Sequence, residues 1–453
     1  MESSRISKKL NFLYGLPDFG FALFVYVELY YFSAFLTDYA KLSLDTVAII
    51  LAATSAIDMI WVPVTGIIIE KCNFKWGKFR SWFVLASPFV IVFFTLMFTK
   101  IGSEGLAAMI ITVSFGIKTL AQNLVYSGHL SQMSIISNSP QERTSLSARK
   151  VQYNTLGILV FSAVGLPVIT MFGKMTNTTT GYTLGACFFA VIYFLTCVAL
   201  FALTKGVEPT ADAKAESGSS KPKMSIGSML KALFTNPPLL VILIADSFRQ
   251  VGRFLIIASA FYYLKVVLNS VALMTTYLLC VNLAGFAGSF LTTPLTKAVG
   301  KKGAYMIFLS FCCAGLLVAY FFGSTPVIFI AALTVTMGMI SPINAIVSAM
   351  LADTVVYDEY KNHTPARGFI MSMVNLPIKL GAFFRSLILP AALAAAGYAA
   401  GKAADAHMIA GVKNLITMYP FLFIALAIVI VLIGYRLSEK KVVEMTEEIE
   451  KRA

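Results

Sequence analysis

Nine charged side chains stand out inside long apolar runs of this sequence. A charge placed deep in a bilayer costs ~2.5–3.5 kcal/mol on insertion scales, so each of the nine is a candidate for function. A carboxylate at such depth can take up a proton, bind a cation or pair with a base, and a basic group can bind an anion. The nine are Asp18, Glu28, Asp58, Lys118, Asp246, Arg249, Arg253, Lys379 and Arg385.

Asp58 stands in the run AIDMIWVPVTG, which has no other charge before Glu70. At 1.5 Å per helical residue, Asp58 and Lys118 each fall about 20 Å along their runs, close to the bilayer midplane. We predict that Asp58 takes up a proton or binds a cation, with structural ion pairing as the alternative. Lys379, in NLPIKLGAFF, is the expected charge partner of Asp58.

Asp246, Arg249 and Arg253 occupy positions i, i+3 and i+7, which share one face of a helix. Asp246 can pair with Arg249 along that helix. Arg253 then needs an acid on another helix, which would make a conformational lock, or an anionic solute, which it would bind together with Lys118. Tyr126 is a candidate donor to solute hydroxyl groups, although such polar residues more often serve helix packing.

The elements that carry these residues follow from the composition. Of 453 residues, 58% are apolar and only 13% are charged, against about 25% charged in soluble proteins. The composition excludes a soluble enzyme, a disordered protein and a disulfide scaffold, because so much apolar surface could not be covered in water. Backbone groups in lipid must be satisfied within each segment, so the spans must be helices. We predict an all-α membrane protein with twelve transmembrane helices, at about 12–37, 45–69, 82–100, 106–130, 151–173, 182–204, 238–265, 271–294, 304–322, 326–352, 368–394 and 414–435.

A polar stretch rich in Ala, Ser, Gly, Pro and Lys divides these spans six against six. Placing the N-terminus inside puts most of the 36 Lys and Arg residues in cytoplasmic segments, as the positive-inside rule requires. The net charge of +14 is then explained by the membrane, and we expect no nucleic-acid partner. The predicted organisation is an N-terminal six-helix bundle (1–204), a cytoplasmic linker (205–237), a C-terminal six-helix bundle (238–435) and a cytoplasmic tail (436–453).

The sequence carries no signature of an enzyme. It has no metal-ligand spacing, no P-loop and no nucleophile elbow, and its three histidines stand at the unrelated positions 129, 363 and 407. We therefore expect no catalytic activity, no metal and no cofactor. The missing P-loop also argues against ATP as the energy source.

Several segments carry a resemblance to a known family. YGLPDFG at 14–20 resembles the YGxGDFG opening of the glycoside–pentoside–hexuronide:cation symporters, the melibiose-carrier branch of the major facilitator superfamily. AIDMIWVPVTGIIIEKCNFKWGKFRSW at 56–82, QERTSL at 141–146 and MLADTVVYDEYK at 350–361 resemble further motifs of that family. The resemblance implies a major facilitator fold of two six-helix bundles and symport of a sugar, glycoside or hexuronide. Arg149, which follows QERTSL, joins Asp246 and Arg249 as a predicted member of gating or conformational salt bridges.

Departures from the family pattern indicate which coupling ion and which kind of solute to expect. The family places two acids four residues apart in its second helix for a cation site, and here those positions hold Asp58 and Val62. One carboxylate is a poor sodium cage because hard cations want several oxygens, so H⁺ is favoured over Na⁺ as the coupling ion. The two positions of the galactoside-binding acids hold Ala22 and Tyr126. Five basic groups in the spans then suggest an anionic solute, and a neutral sugar remains the alternative.

We therefore predict a secondary active transporter that works by alternating access, with its solute at mid-depth between the two bundles. The predicted solute-binding residues are Asp18, Lys118, Tyr126, Arg253 and Lys379. The alternative function is a uniporter or symporter of an amphipathic or aromatic non-sugar solute. We expect a monomer in the cytoplasmic membrane, with both termini in the cytoplasm and with a small solute and the lipid bilayer as its only partners.

Overall fold

The computed structural model describes residues 7–72, 74–136, 140–207, 235–362, 370–371 and 373–452. All regular elements in these ranges are helices. Contacts divide the chain into two compact units, residues 1–219 with 399–402 and residues 220–398 with 403–453. Most of the predicted linker 205–237 lies outside the described residues.

The described residues of the first unit form eight α-helices and one π-helical turn. Side-chain caps begin several of them: Ser43 accepts a hydrogen bond from the Thr46 amide at the start of α3, and Asn177 accepts one from the Thr180 amide at the start of α8. The elements are α1 (Lys8–Leu13), α2 (Leu16–Ala34), the π-helical turn (Phe35–Tyr39), α3 (Leu44–Lys71), α4 (Trp82–Leu85), α5 (Ser87–Met97), α6 (Glu104–Ile136), α7 (Pro140–Met175) and α8 (Thr178–Leu203).

The second unit repeats this all-helical construction. Its elements are α9 (Pro237–Val266), α10 (Leu273–Ser289), α11 (Thr292–Phe322), α12 (Pro326–Asn362), α13 (Asn375–Ala395), α14 (Ala406–Ile416), α15 (Met418–Gly434) and α16 (Glu439–Arg452). Helix α16 corresponds to the predicted cytoplasmic tail.

The helices account for all twelve predicted spans. Within the described ranges, nine helical segments are long and apolar enough to cross a membrane, and two shorter apolar ones are Trp82–Met97 and Leu273–Ser289. The remaining span is α9, whose 30 residues include Asp246, Arg249 and Arg253 and are therefore more polar.

Two helices extend beyond the apolar runs that predicted them. Helix α7 begins at Pro140 and α12 continues to Asn362, well beyond the predicted runs 151–173 and 326–352. Intrahelical hydrogen bonds continue unbroken into polar sequence, so hydropathy alone does not mark a helix end. The third span is instead divided at Ala86 into α4 and α5. Pro88, in the first turn of α5, has no backbone N–H to donate, so the helical hydrogen bonding of α4 does not continue into α5.

Close helix packing positions the charged residues of the first unit. Helix α2 packs against α7 and α8, and α6 packs against α3 and α5. Gly157 of α7 lies so near α2 that a Cβ added there would stand 2.5 Å from the Phe19 carbonyl oxygen and 2.9 Å from the Ala22 Cβ. The absence of a side chain at Gly157 therefore sets how closely α7 approaches α2.

A small polar network joins three helices of the second unit. Gly300 breaks α11 with a φ of 73°, a conformation that favours glycine. The next residue, Lys301, donates its backbone amide to Glu439 of α16 at 2.9 Å. Its ammonium lies 2.7 Å from the Asp353 carboxylate of α12. Lys301, just after the kink of α11, thus ties that helix to the C-terminal part of α12 and to the first residue of α16.

Candidate functional site

Lys118 forms an ion pair with Glu28 inside the first unit. Helix α6 carries Lys118 and α2 carries Glu28, and the distance from Nζ to Oε2 is 2.6 Å. Lys118 is 1% exposed and Glu28 is 20% exposed. The ammonium also lies 4.5 Å from the centre of the Phe115 ring and 3.4 Å from the Gln122 amide oxygen. The structure therefore gives Lys118 a counter-charge within its own unit, and its predicted role toward the solute stays a prediction.

Asp18 lies in a buried cluster with Lys150 and His129. Its Oδ1 is 3.2 Å from the Lys150 ammonium, and its Oδ2 is 3.4 Å from His129 Nδ1. Lys150 Nζ is also 2.8 Å from His129 Nδ1. Sequence reasoning identified Asp18 but not this grouping. Its signal was depth, because Asp18, His129 and Lys150 stand near the same end of the first, fourth and fifth predicted spans.

Tyr126 stands beside this cluster, one turn before His129 on α6. Its ring centre is 5.5 Å from Lys150 Nζ and 5.7 Å from the Phe21 ring centre. Tyr126 is 45% exposed, whereas Asp18 is 6% exposed. Of these two predicted solute ligands, Tyr126 is thus the one whose side chain reaches an open surface of its unit.

Asp58 lies on α3 in a partly buried position. Three residues further on, the Trp61 indole donates a hydrogen bond to the Gly116 carbonyl of α6 at 2.8 Å. This hydrogen bond links the Asp58 helix to the helix that carries Lys118. Arg149, predicted as a gating residue, donates to the Gln152 side chain at 2.9 Å and lies 5.3 Å from the Phe12 ring centre.

In the second unit, Asp246 and Arg249 form a buried pair along α9. Arg249 Nε lies 2.6 Å from Asp246 Oδ1, and the two residues are 1% and 2% exposed. Arg249 Nη2 also donates to the Asn344 side chain of α12 at 3.0 Å. The pairing along the helix expected from the i, i+3 spacing is present, and its proposed gating role stays a prediction.

Arg253 and Lys379 lie on two helices that pack against each other. Arg253 of α9 donates to Gln250 at 3.4 Å and lies 5.5 Å from the Phe254 ring centre. Helix α13 carries Lys379, and a Cβ added to Gly381 would stand 2.6 Å from the Gln250 Cβ. The close approach at Gly381 therefore holds two basic residues of the predicted site on adjacent helices of one unit.

Comparison with known proteins gives consistent results across sequence and structure. Residues 13–439 match the family model described as MFS/sugar transport protein. The chain is 25% identical to the isoprimeverose transporter of Lactiplantibacillus pentosus, over 89% of this chain and 83% of the relative. It is also 25% identical to the putative sulfoquinovose importer of Escherichia coli K12 (99% and 95% covered) and to the glucuronide carrier protein homolog of the same organism (97% and 94% covered).

Solved structures share the fold at lower identity. A mutant of the nucleoside transporter NupG superposes with a TM-score of 0.66 at 13% identity, over 93% of this chain and 99% of that one. A bacterial homolog of the human lysosomal transporter Spinster gives a TM-score of 0.59 at 11% identity, over 100% of this chain and 98% of that one. At such identities these likenesses concern the arrangement of the helices alone.

Proposed function

Since this chain belongs to the family of MFS/sugar transport proteins, we propose that it is a secondary active transporter that moves an anionic, sugar-like solute across the cytoplasmic membrane. Membership alone makes it a multi-pass membrane transporter rather than an enzyme, with the predicted major facilitator fold of two six-helix bundles. The negative charge of the solute, the coupling to protons and the cytoplasmic position of both termini belong to the proposal.

The observation that carries the proposal is the charge of two packed helices. Within its predicted span, helix α9 carries the bases Arg249, Arg253 and Lys265 against the single acid Asp246. Helix α13, which packs against it, carries Lys379 and Arg385 and no acid. Net positive charge at membrane depth favours a solute that brings a carboxylate, sulfonate or phosphate, because a charge-assisted hydrogen bond is about twice as strong as a neutral one.

The names of the relatives support the same chemistry. Glucuronides carry a carboxylate on a sugar ring, and sulfoquinovose carries a sulfonate; two relatives are named for these solutes. Isoprimeverose, named for another relative, is neutral. The family therefore accommodates both classes, and the basic residues of α9 and α13 favour the acidic one here.

Coupling to protons is the finer part of the proposal. Asp58 is the proposed coupling carboxylate on α3, and a transporter of an anion gains from moving a proton with it because the pair is electrically neutral. We propose alternating access as the mode of transport, with Asp18, Lys118, Tyr126, Arg253 and Lys379 as solute-binding residues.

A matched pair of ligands tests the charge of the solute. Methyl β-glucuronide and methyl β-glucoside differ at one carbon, which is a carboxylate in the first and a hydroxymethyl group in the second. We expect only the glucuronide to raise the melting temperature of the purified protein, since a ligand that binds the folded state stabilises it. Equal stabilisation by the glucoside would show that binding does not require a negative charge on the solute.

Two substitutions connect that result to the site. Arg253→Gln should weaken glucuronide binding by about 10-fold or more, because a hydrogen bond to a charged group is worth about 1.5–3 kcal/mol. Lys174→Gln is the matched control, since Lys174 is an exposed basic residue at the end of α7. Equal affinities of the two variants would argue against Arg253 as a solute ligand. Uptake into proteoliposomes with and without an inward pH gradient then measures proton coupling.

A further inference from the structure

We propose that Asp18, His129 and Lys150 form a binding site for a single proton, and that the bound proton releases Lys150 from His129. The three side chains come from α2, α6 and α7 and are buried, with exposures of 6%, 2% and 8%. From the sequence alone, Asp18 is a predicted solute ligand and is not grouped with the other two side chains. Only the link of this site to transport rests on the proposed function.

The contacts of His129 fix where its hydrogen lies. Its Nε2 is 3.1 Å from the backbone carbonyl of Tyr14. A carbonyl oxygen can only accept, so Nε2 carries the hydrogen and donates it. In the neutral ring Nδ1 then holds the lone pair, and it accepts a hydrogen bond from the Lys150 ammonium at 2.8 Å. The Tyr14 hydroxyl donates a hydrogen bond to the backbone carbonyl of His129 at 3.0 Å and so helps to position this residue.

In this arrangement the cluster is electrically neutral. Lys150 supplies one positive charge, Asp18 supplies one negative charge through Oδ1 at 3.2 Å, and the imidazole is uncharged. One buried acceptor is left over: among the described residues Asp18 Oδ2 has no hydrogen-bond partner. Its nearest polar group is His129 Nδ1 at 3.4 Å. A buried acceptor without a donor is uncommon and costly, so its position facing a ring nitrogen calls for a physical reason.

A proton from water supplies that missing donor. Bound between Oδ2 and Nδ1, it forms a hydrogen bond from carboxyl to imidazole, or from imidazolium to carboxylate. Either way the single lone pair of Nδ1 is occupied, and Lys150 can no longer donate to it. The charge of the cluster rises from zero to one, and release of the proton to water restores the first state.

Within the part of the chain that the structure describes, Lys150 is the charged group that faces Asp18. The other titratable groups that face Asp18 are the phenols of Tyr126 on α6 and Tyr193 on α8 and the thiol of Cys197 on α8. All three are neutral in their ordinary state near pH 7. Lys150 is therefore the group whose contacts respond to the proton. Because it is the only member on α7, proton binding changes how α7 is tied to α2 and α6.

Nitrogen NMR of the unmodified protein tests the site directly. The chain has three histidines, so ¹⁵N-histidine labelling gives few signals, and a His129→Gln sample identifies the one from position 129. At pH 8 we expect the Nε2–H tautomer. On acidification to pH 4.5 the Nδ1 signal should shift as its partner changes from Lys150 to the proton shared with Asp18. The Nδ1–H tautomer at pH 8, or identical His129 signals at both pH values, would overturn the proposal.

A substitution isolates the carboxylate. Asp18→Asn keeps the shape of the side chain and should abolish the acid response of the His129 signal, while Asp45→Asn, at an exposed aspartate at the start of α3, should leave it intact. An unchanged response in the first variant would remove Asp18 from the site. These spectra need no transport and stand whether or not uptake is proton-coupled.

The link to transport is measured separately. His129→Gln should lower pH-driven accumulation by 10-fold or more, and His407→Gln, at an exposed histidine of α14, should retain it. Equal accumulation by both would show that the proton site does not serve transport. If the unmodified protein shows no pH-driven uptake of any acidic glycoside, the proposed coupling fails while the NMR result still decides the proton site.

Discussion

Substitutions at the Lys118–Glu28 pair test how much this ion pair contributes to the free energy of unfolding of the first unit. Removing one partner of a buried ion pair costs about 3–5 kcal/mol, because the remaining charge is left without compensation. In Glu28→Gln the stranded charge is Lys118, which is 1% exposed. The new amide still offers an acceptor oxygen, so we expect the lower end of that range, about 3 kcal/mol.

The reverse substitution should cost less. Lys118→Met strands Glu28, which is 20% exposed and can keep part of its hydration. Methionine preserves most of the aliphatic volume of lysine, so we expect a loss of about 1 kcal/mol. The double variant has no stranded charge and should also lose about 1 kcal/mol, because replacing a whole buried pair is often close to neutral. The resulting coupling energy is about 3 kcal/mol.

Equilibrium unfolding in mixed detergent micelles measures these differences. All three tryptophans, Trp61, Trp76 and Trp82, belong to the first unit, so their fluorescence reports the unit that holds the pair. Lys174→Met is the control and should change stability by less than about 0.5 kcal/mol, as surface substitutions do. Additive losses in the double variant, or a loss below about 1 kcal/mol for Glu28→Gln, would refute the reasoning.

The double variant also separates two roles of Lys118. If the pair only holds α2 against α6, the variant without both charges should still bind the acidic glycoside. If Lys118 contacts the solute, as the sequence predicts, binding should be lost although the fold is restored. Melting temperatures with and without methyl β-glucuronide distinguish the two results.

Three further predictions use the same assays. Asp58→Asn should abolish pH-driven accumulation while sparing counterflow, and unchanged accumulation would remove Asp58 from coupling. Gly157→Ala should cost about 2 kcal/mol through overpacking, whereas Gly66→Ala, where a Cβ meets nothing within 4 Å, should gain about 0.5–1 kcal/mol from helix propensity; equal effects would contradict the packing argument. Asp246→Asn should cost about 3–5 kcal/mol in thermal or denaturant unfolding, because it strands the buried Arg249; a loss under about 1 kcal/mol would show that Asn344 suffices as a partner.

The fold could be predicted from the sequence because it depends mainly on the need to satisfy backbone hydrogen bonds within each apolar segment in lipid. Each apolar run must become helical in lipid, so the number of spans follows from hydropathy. Helix ends were harder, since α7 and α12 continue into polar sequence. The break at Ala86 depends on a single proline whose effect hydropathy does not register.

Ion pairs between residues close in sequence could be predicted, and ion pairs between distant helices could not. Asp246 and Arg249 are three residues apart, so their pairing follows from helix geometry. Glu28 and Lys118 are separated by 90 positions, and Asp18 meets Lys150 of a different helix. Such pairs depend on how each helix is rotated about its axis, which packing details such as Gly157 decide. The sequence could thus identify the charged residues but could not match Lys118 or Asp18 to their partners.

The C-terminal helix α16 contacts the lysine that ties α11 to α12. Through Lys301 it is linked to the broken end of α11, and the same lysine grips Asp353 of α12. Because Lys301 belongs to α11, a sliding motion of α12 along α11 would break its ion pair with Asp353. Truncation of the chain before Glu439 would remove the acceptor of the Lys301 amide hydrogen bond, and one contact that positions this lysine would be lost.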